Sequence, residues 1–178
     1  MATKQKHYIN NADFLAALVE YKEKSKLAKK NKEPAPPIPN YIGECFMKIA
    51  EGLSHKPNFI NYTYRDEMMS DGIENCLMYF DNFDPTKSKN PFAYFTQIIY
   101  YAFLRRIQKE KKQTYVKYKA TEQMGILDEF EMLDNEDGTT RQFELYDNIA
   151  EFIENYEDTK KKKKEVTKPK GIEKFLGE

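Results

Sequence analysis

Between Tyr94 and Lys112 the side chains able to do chemistry are spaced for one face of a helix. At about 100° per residue, Tyr94, Gln97, Tyr101, Arg105, Gln108 and Lys112 cluster, while Phe95, Ile99, Ala102 and Phe103 fall opposite. The clustered side is aromatic near its start and basic near its end. Aromatic rings stack on unpaired bases, worth about 1–3 kcal/mol per base, and arginine and lysine neutralise phosphates. A helix that does both could hold separated strands at a junction of duplex and single strand. The same residue types also suit a blander role, with tyrosines covering the rim of a core and Lys109, Lys111 and Lys112 merely solvated. Arg106 falls nearer the apolar side, and periodicity gives it no role.

A second set is acidic and lies one helix earlier. Glu67, Asp71 and Glu74 form a stripe opposite Met69, Ile73, Cys76, Leu77 and Phe80. Lys+Arg and Asp+Glu both total 29, yet the balance is strongly segregated. From Thr86 to Lys119 nine basic residues face the single acid Glu110, and from Thr121 to Asp158 thirteen acids face the single base Arg141. A basic block returns at 160–170. Such segregation points to binding surfaces rather than to a catalytic cleft, although a solvated helix face accounts for any one block equally well. No nucleophile–base pair, metal cluster or phosphate loop appears, and His7 and His55 lack ligand-spaced partners. The chain is therefore expected to bind rather than catalyse, with no cofactor and no metal.

The elements that must position these residues are all helical. Asn10 or Asn11 caps a first helix, 11–30, with Phe14, Leu15, Leu18 and Val19 on one face. Pro34, Pro36, Pro37 and Pro39 then enforce an extended linker. A second helix, 40–53, carries Ile42, Cys45, Phe46 and Ile49 on one stripe. Thr63 and Asp66 form a capping-box pattern opening a third helix at 64–80. The stretch 81–91, DNFDPTKSKNP, has the chemistry of a turn, and Asn90 with Pro91 opens a fourth helix expected to reach about Lys112. Further helices are expected at 123–133 and 140–156, with a linker-like basic run after them. Strand-like alternation is absent, so the class is all-α: a compact helical bundle with extended linkers and a flexible C-terminal tail. The expected division is an N-terminal helix at 1–33, a Pro-rich linker at 34–40, a helical domain at 41–119, an acidic segment at 120–158, a basic linker at 159–170 and a tail at 171–178. Cys45 and Cys76 sit in apolar patterns and are expected to be buried thiols, and no apolar run approaches the roughly 18 residues of a membrane span. A soluble, intracellular protein with no membrane partner is expected.

The stretch 71–107, DGIENCLMYFDNFDPTKSKNPFAYFTQIIYYAFLRRI, resembles region two of bacterial sigma factors. The family pattern is an acid–Gly pair, a helix reaching Phe-Asp, a short turn, an aromatic segment and an amphipathic helix ending in arginine. Asp71-Gly72, Phe83-Asp84, Ala93-Tyr94-Phe95-Thr96 and Arg105 supply it without a gap. With an early Asn-Asn segment, IAEGLS at 49–54, the longer FDPTKSKNPFAYFTQ at 83–97 and the apolar end of GIEKFLGE, the chain is similar to the late-transcription sigma factors of T-even-like phages. Only 114–160 falls outside the resemblance.

That resemblance implies a transcription initiation factor acting in the cytoplasm of an infected bacterium. It implies that Glu67, Ser70, Asp71 and Glu74 dock on the coiled coil of the largest subunit of host core RNA polymerase. It implies that Tyr94, Thr96, Gln97, Tyr100 and Tyr101, then Arg105, Gln108, Lys109 and Lys112, contact promoter DNA at a short AT-rich −10-like element, with Tyr94 stacking on an extruded base. The chain departs from primary sigma factors in having Gln97 and Ile98 where two tryptophans stand, and Tyr101 and Leu104 at the positions reading the upstream edge. No helix-turn-helix for a −35 element follows. Ile172, Phe175 and Leu176 resemble plugs that enter sliding-clamp pockets, which would tether polymerase along the template. The acidic segment could meet polymerase or a late-transcription coactivator. A different-class alternative is a non-catalytic all-α adaptor that bridges polymerase or replication proteins without promoter recognition.

Overall fold

The computed structural model describes residues 8–124 and 140–167, with side chains over 147–162 in the latter stretch. The described residues form five α-helices and one 3-10 turn, with no strand among them. The fold is all-α. The helices are α1 (Asn11–Asn31), α2 (Asn40–Ser54), α3 (Arg65–Met78), α4 (Pro91–Gln123) and α5 (Thr140–Thr167), with the 3-10 turn at Phe80–Asn82. Two compact units divide the chain, one ending at Gln108 and the other beginning at Lys109.

In the first unit, local chemistry sets the helix ends. Asn10 caps α1 by accepting from the amide of Ala12, and Lys32, at φ 59°, closes it with a left-handed residue whose N–H reaches back to the carbonyls of Ala28 and Lys29. The proline stretch runs extended between α1 and α2, and the Tyr21 hydroxyl ties it to α1 by donating to the Pro36 carbonyl at 3.0 Å. Asn90 accepts from the Ala93 amide at 3.1 Å, with Pro91 at the first position of α4. In the turn before it, Asp84 Oδ1 accepts from both the amide and the hydroxyl of Thr86.

The core is a web of phenylalanines centred on Phe95, whose ring lies 4.7 Å from Phe46, 5.7 Å from Phe14, 5.8 Å from Phe83 and 6.3 Å from Phe80. The four helices that enter the first unit each contribute at least one residue to this cluster, with Leu18 from α1, Ile42 and Ile49 from α2, Met68 from α3, and Ile99 and Phe103 from α4. Truncating a side chain as enclosed as Phe95 costs about 3–5 kcal/mol. Cys45 and Cys76 are both buried free thiols, and burial pushes the Cys76 thiol up to about 12.

Three expectations about α3 and α4 need correction. The capping box at Thr63 and Asp66 does not form: α3 starts at Arg65 behind Tyr64, with no side-chain cap. The buried line of α3 is Met68, Gly72 and Cys76, whereas Met69 and Ile73 are only partly buried and Leu77 is 46% exposed. The cause is Gly72. A Cβ there would lie 2.9 Å from Ile99 Cγ2 and 3.2 Å from a Phe103 ring carbon, so only a bare backbone lets α4 come this close. That contact rotates the inward line by one residue. Finally, α4 does not stop near Lys112 but continues to Gln123.

The second unit contains the reason for that length. Tyr115 stacks on Tyr156 of α5 at 4.5 Å and 24°, and Tyr118 meets Phe152 edge-on at 5.3 Å. The Tyr115 hydroxyl donates to Glu157 Oε1 at 2.8 Å, and Lys119 lies 3.7 Å from the same oxygen. Tertiary contacts of this kind carry a helix past the point where its own periodicity fades. The linker-like reading of the basic run is also corrected, since α5 continues through it to Thr167. Lys160 Nζ sits 5.7 Å from the Tyr115 ring and 5.1 Å from that of Tyr156, a cation–π use for a residue expected in a basic linker. Of the helix expected at 123–133, residues 125–133 lie outside the described residues.

Candidate nucleic-acid interface

The first three turns of α4, with Asn90 before them, form a shallow surface hollow lined by Asn90, Phe92, Ala93, Thr96, Gln97, Tyr100 and Tyr101. Tyr101 is 51% exposed and Tyr100 38% exposed, and the two rings meet edge-on at 5.9 Å. Tyr100 is braced from beneath by the buried Phe59 at 5.6 Å, again edge-on. A braced, half-exposed ring keeps one face for a planar ligand while losing little freedom on binding. Gln97 is exposed beside them and brings an amide with both donor and acceptor. Thr96 lies in the hollow too, but its hydroxyl donates to the Phe92 carbonyl at 2.7 Å, so it contributes its methyl and shape.

Tyr94 is placed differently. Its ring packs 5.2 Å from Phe83 and 5.1 Å from Phe95, is half-buried, and is not part of the hollow. Burial, with a smaller push from the neighbouring Cys76, raises its phenol above the ordinary value, so it stays a neutral donor. The wheel puts Tyr94 in line with Tyr101 and Arg105, but Phe83, from the turn before α4, packs against its ring.

Arg105 and Gln108 are exposed further along the same helix. Arg105 Nη2 donates to Asn75 Oδ1 on α3 at 2.7 Å. Lys109 and Lys112 belong to the second unit and are exposed there.

The acidic set divides. Glu67 and Glu74 are exposed, and the Ser70 hydroxyl donates to its own helix at the Asp66 carbonyl. Asp71 faces inward along α3 and grips Arg106 through both carboxylate oxygens, at 2.7 and 2.8 Å, with side chains 30% and 17% exposed. Asp71, expected among the docking acids, is thus engaged in a pairing of α3 with α4. The same contact gives Arg106 the role that periodicity withheld. Residues 35 apart in sequence meet here, and no spacing rule could have joined them.

Sequence reasoning also missed a groove between α2 and α3. Met47, Ala50, Met69 and Ile73 line it, with Glu51, Asp66 and Arg65 among its polar residues. Met47 is exposed, as is Leu77 one turn beyond Ile73. Its signal in the sequence is the stripe of Met69, Ile73 and Leu77, which periodicity alone does not distinguish from a core face. Ile172, Phe175 and Leu176 lie outside the described residues. Among the described residues no cluster of His, Cys, Asp or Glu could hold a metal ion, and no helix is long and apolar enough to cross a membrane. No family model matches the sequence, and no curated protein matches it.

Proposed function

We infer that this chain is a minimal sigma-type specificity factor: it binds bacterial core RNA polymerase and offers α4 to the opened strands of a short AT-rich promoter element. The observation that carries the reading is the braced pair Tyr100 and Tyr101 with exposed Gln97, followed on the same helix by exposed Arg105. Rings then cation is the order needed to stack an unpaired base and hold the adjoining phosphate. Gln97 and Ile98 stand where the tryptophan pair would otherwise act, and Tyr100 and Tyr101, a few residues further along the helix, supply the rings in their place. Support for polymerase docking comes from the α2–α3 groove, where apolar Met47, Met69 and Ile73 lie beside the acids Glu51 and Asp66. Apolar anchors supply most affinity at such contacts, and surrounding acids steer a basic partner into place. Polymerase performs all the phosphoryl transfer, and a C-terminal plug of Ile172, Phe175 and Leu176 engages a sliding clamp that tracks DNA.

The adaptor reading draws on that same groove, which suits protein docking without any DNA. Transcription with purified core polymerase on a TATA-like promoter separates the two, with permanganate reactivity reporting opened thymines. The expected result is initiation that falls at least tenfold for Tyr101→Ala and Arg105→Ala. Stable polymerase binding with no initiation from any such promoter refutes the sigma reading in favour of the adaptor.

A further inference from the structure

Asn75 stands on α3 one turn beyond Asp71, outside both sets of residues marked by the sequence. Its amide is used twice. Nδ2 donates back to the Asp71 carbonyl at 2.6 Å, and Oδ1 accepts from Arg105 Nη2 at 2.7 Å. The first bond determines which way the amide faces: with its nitrogen turned to the helix, its oxygen is left for α4. Two adjacent arginines are therefore gripped by successive turns of one helix, with different chemistry. A carboxylate holds the more buried Arg106 and cancels its charge. A neutral amide holds the exposed Arg105 and leaves its charge intact.

We propose that Asn75 is a positioning residue for Arg105, aiming its guanidinium at the sugar-phosphate backbone of opened DNA. This rests on the reading of α4 as a nucleic-acid face. A guanidinium carries five N–H donors, and the bond to Asn75 takes one at Nη2, so the rest of the fork suits a bidentate phosphate contact. A long side chain held in place before binding loses less freedom when the phosphate arrives. Aspartate at this position would give up the bond back to the Asp71 carbonyl but keep an oxygen for Arg105, and would cancel its charge. Alanine would keep the charge and lose the hold. The two substitutions separate orientation from electrostatics.

The test is binding of a fork-junction DNA probe by the full chain in complex with core polymerase, across a salt series. Arg105→Gln is expected to weaken binding about tenfold and to reduce the salt slope by about one. Asn75→Ala is expected to weaken it about threefold with the slope unchanged, and to have no further effect in the Arg105→Gln background. Asn75→Asp, close in shape and present in case alanine perturbs α3, is expected to reproduce both the loss and the lowered slope of Arg105→Gln. Wild-type binding by Asn75→Ala overturns the proposal, as does a threefold loss that persists when Arg105 is already gone, since that marks a purely structural role. Wild-type binding by Arg105→Gln overturns the reading of α4 itself, an outcome distinct from one in which only Asn75 is silent.

Discussion

Replacing Gly72 with alanine pits two effects of known size against each other. In a helix interior, alanine gains about 1 kcal/mol over glycine from backbone entropy. At Gly72 the new methyl would meet Ile99 Cγ2 at 2.9 Å and a Phe103 ring carbon at 3.2 Å, both on fully buried residues. Neither atom is the end of a flexible chain, so α4 must move away from α3 or the two core side chains must leave their rotamers. Overpacking of this kind costs about 1–3 kcal/mol. The separation also stretches the paired bonds between Asp71 and Arg106, adding loss in the same direction. The net expectation is destabilisation of about 1–2 kcal/mol, or a lowering of the melting temperature by roughly 5–10 °C for a unit of this size. Gly43, on α2, is the internal control: nothing lies within 4 Å of a Cβ built there, so alanine at that site is expected to stabilise by up to about 1 kcal/mol. Urea titrations of both variants followed by far-UV circular dichroism read the two signs directly. A Gly72→Ala protein as stable as Gly43→Ala would refute the close approach of α3 and α4.

Lys22→Met should destabilise the first unit by about 1–2 kcal/mol, because the ammonium donates to the carbonyls of Asp81 and Phe83 and caps the turn that leads into α4; an unchanged melting temperature would refute it. In the second unit the hydrogen bond from Tyr115 holds the Glu157 carboxyl below its ordinary value, with Lys119 adding to the effect. A lowered folded value means stability that is present above the ordinary 4.5 and lost as pH falls through the folded value, so amide protection along α5 should drop on acidification below pH 4.5. Tyr115→Phe should flatten that dependence, and a wild type insensitive to acid would count against the contact. Deleting residues 171–178 should spare basal initiation and abolish stimulation by a loaded sliding clamp; equal stimulation with and without them excludes the plug.

What could be read from the sequence was mostly local. Asn10, the proline run and the Asn90–Pro91 start of α4 carry their structural meaning in their own chemistry, and the aromatic face of α4 follows from periodicity. The inward line of α3 did not, because Met68 and Met69 are equally apolar and a wheel gives a glycine no weight. Yet Gly72 is the residue around which α3 turns. The full length of α4 depends on Tyr115 and Tyr118 meeting α5, which is far along the chain. Tyr94 was read as a leading ring of the interface; its burial comes from Phe83, whose distance from the helix axis no periodicity encodes. The inward turn of Asp71 likewise needed the partner on α4 to be seen.

Cys45 and Cys76 each lie under the phenylalanine web, and a proton on the Cys76 sulfur is held to about pH 12. Alkylating reagents attack thiolates, so neither sulfur should react while the surrounding helices stay closed. Maleimide labelling in native buffer then becomes a clock for breathing of the first unit, needing no engineered probe. The same reagent, timed with and without a bound partner, would reveal whether engagement slows that breathing.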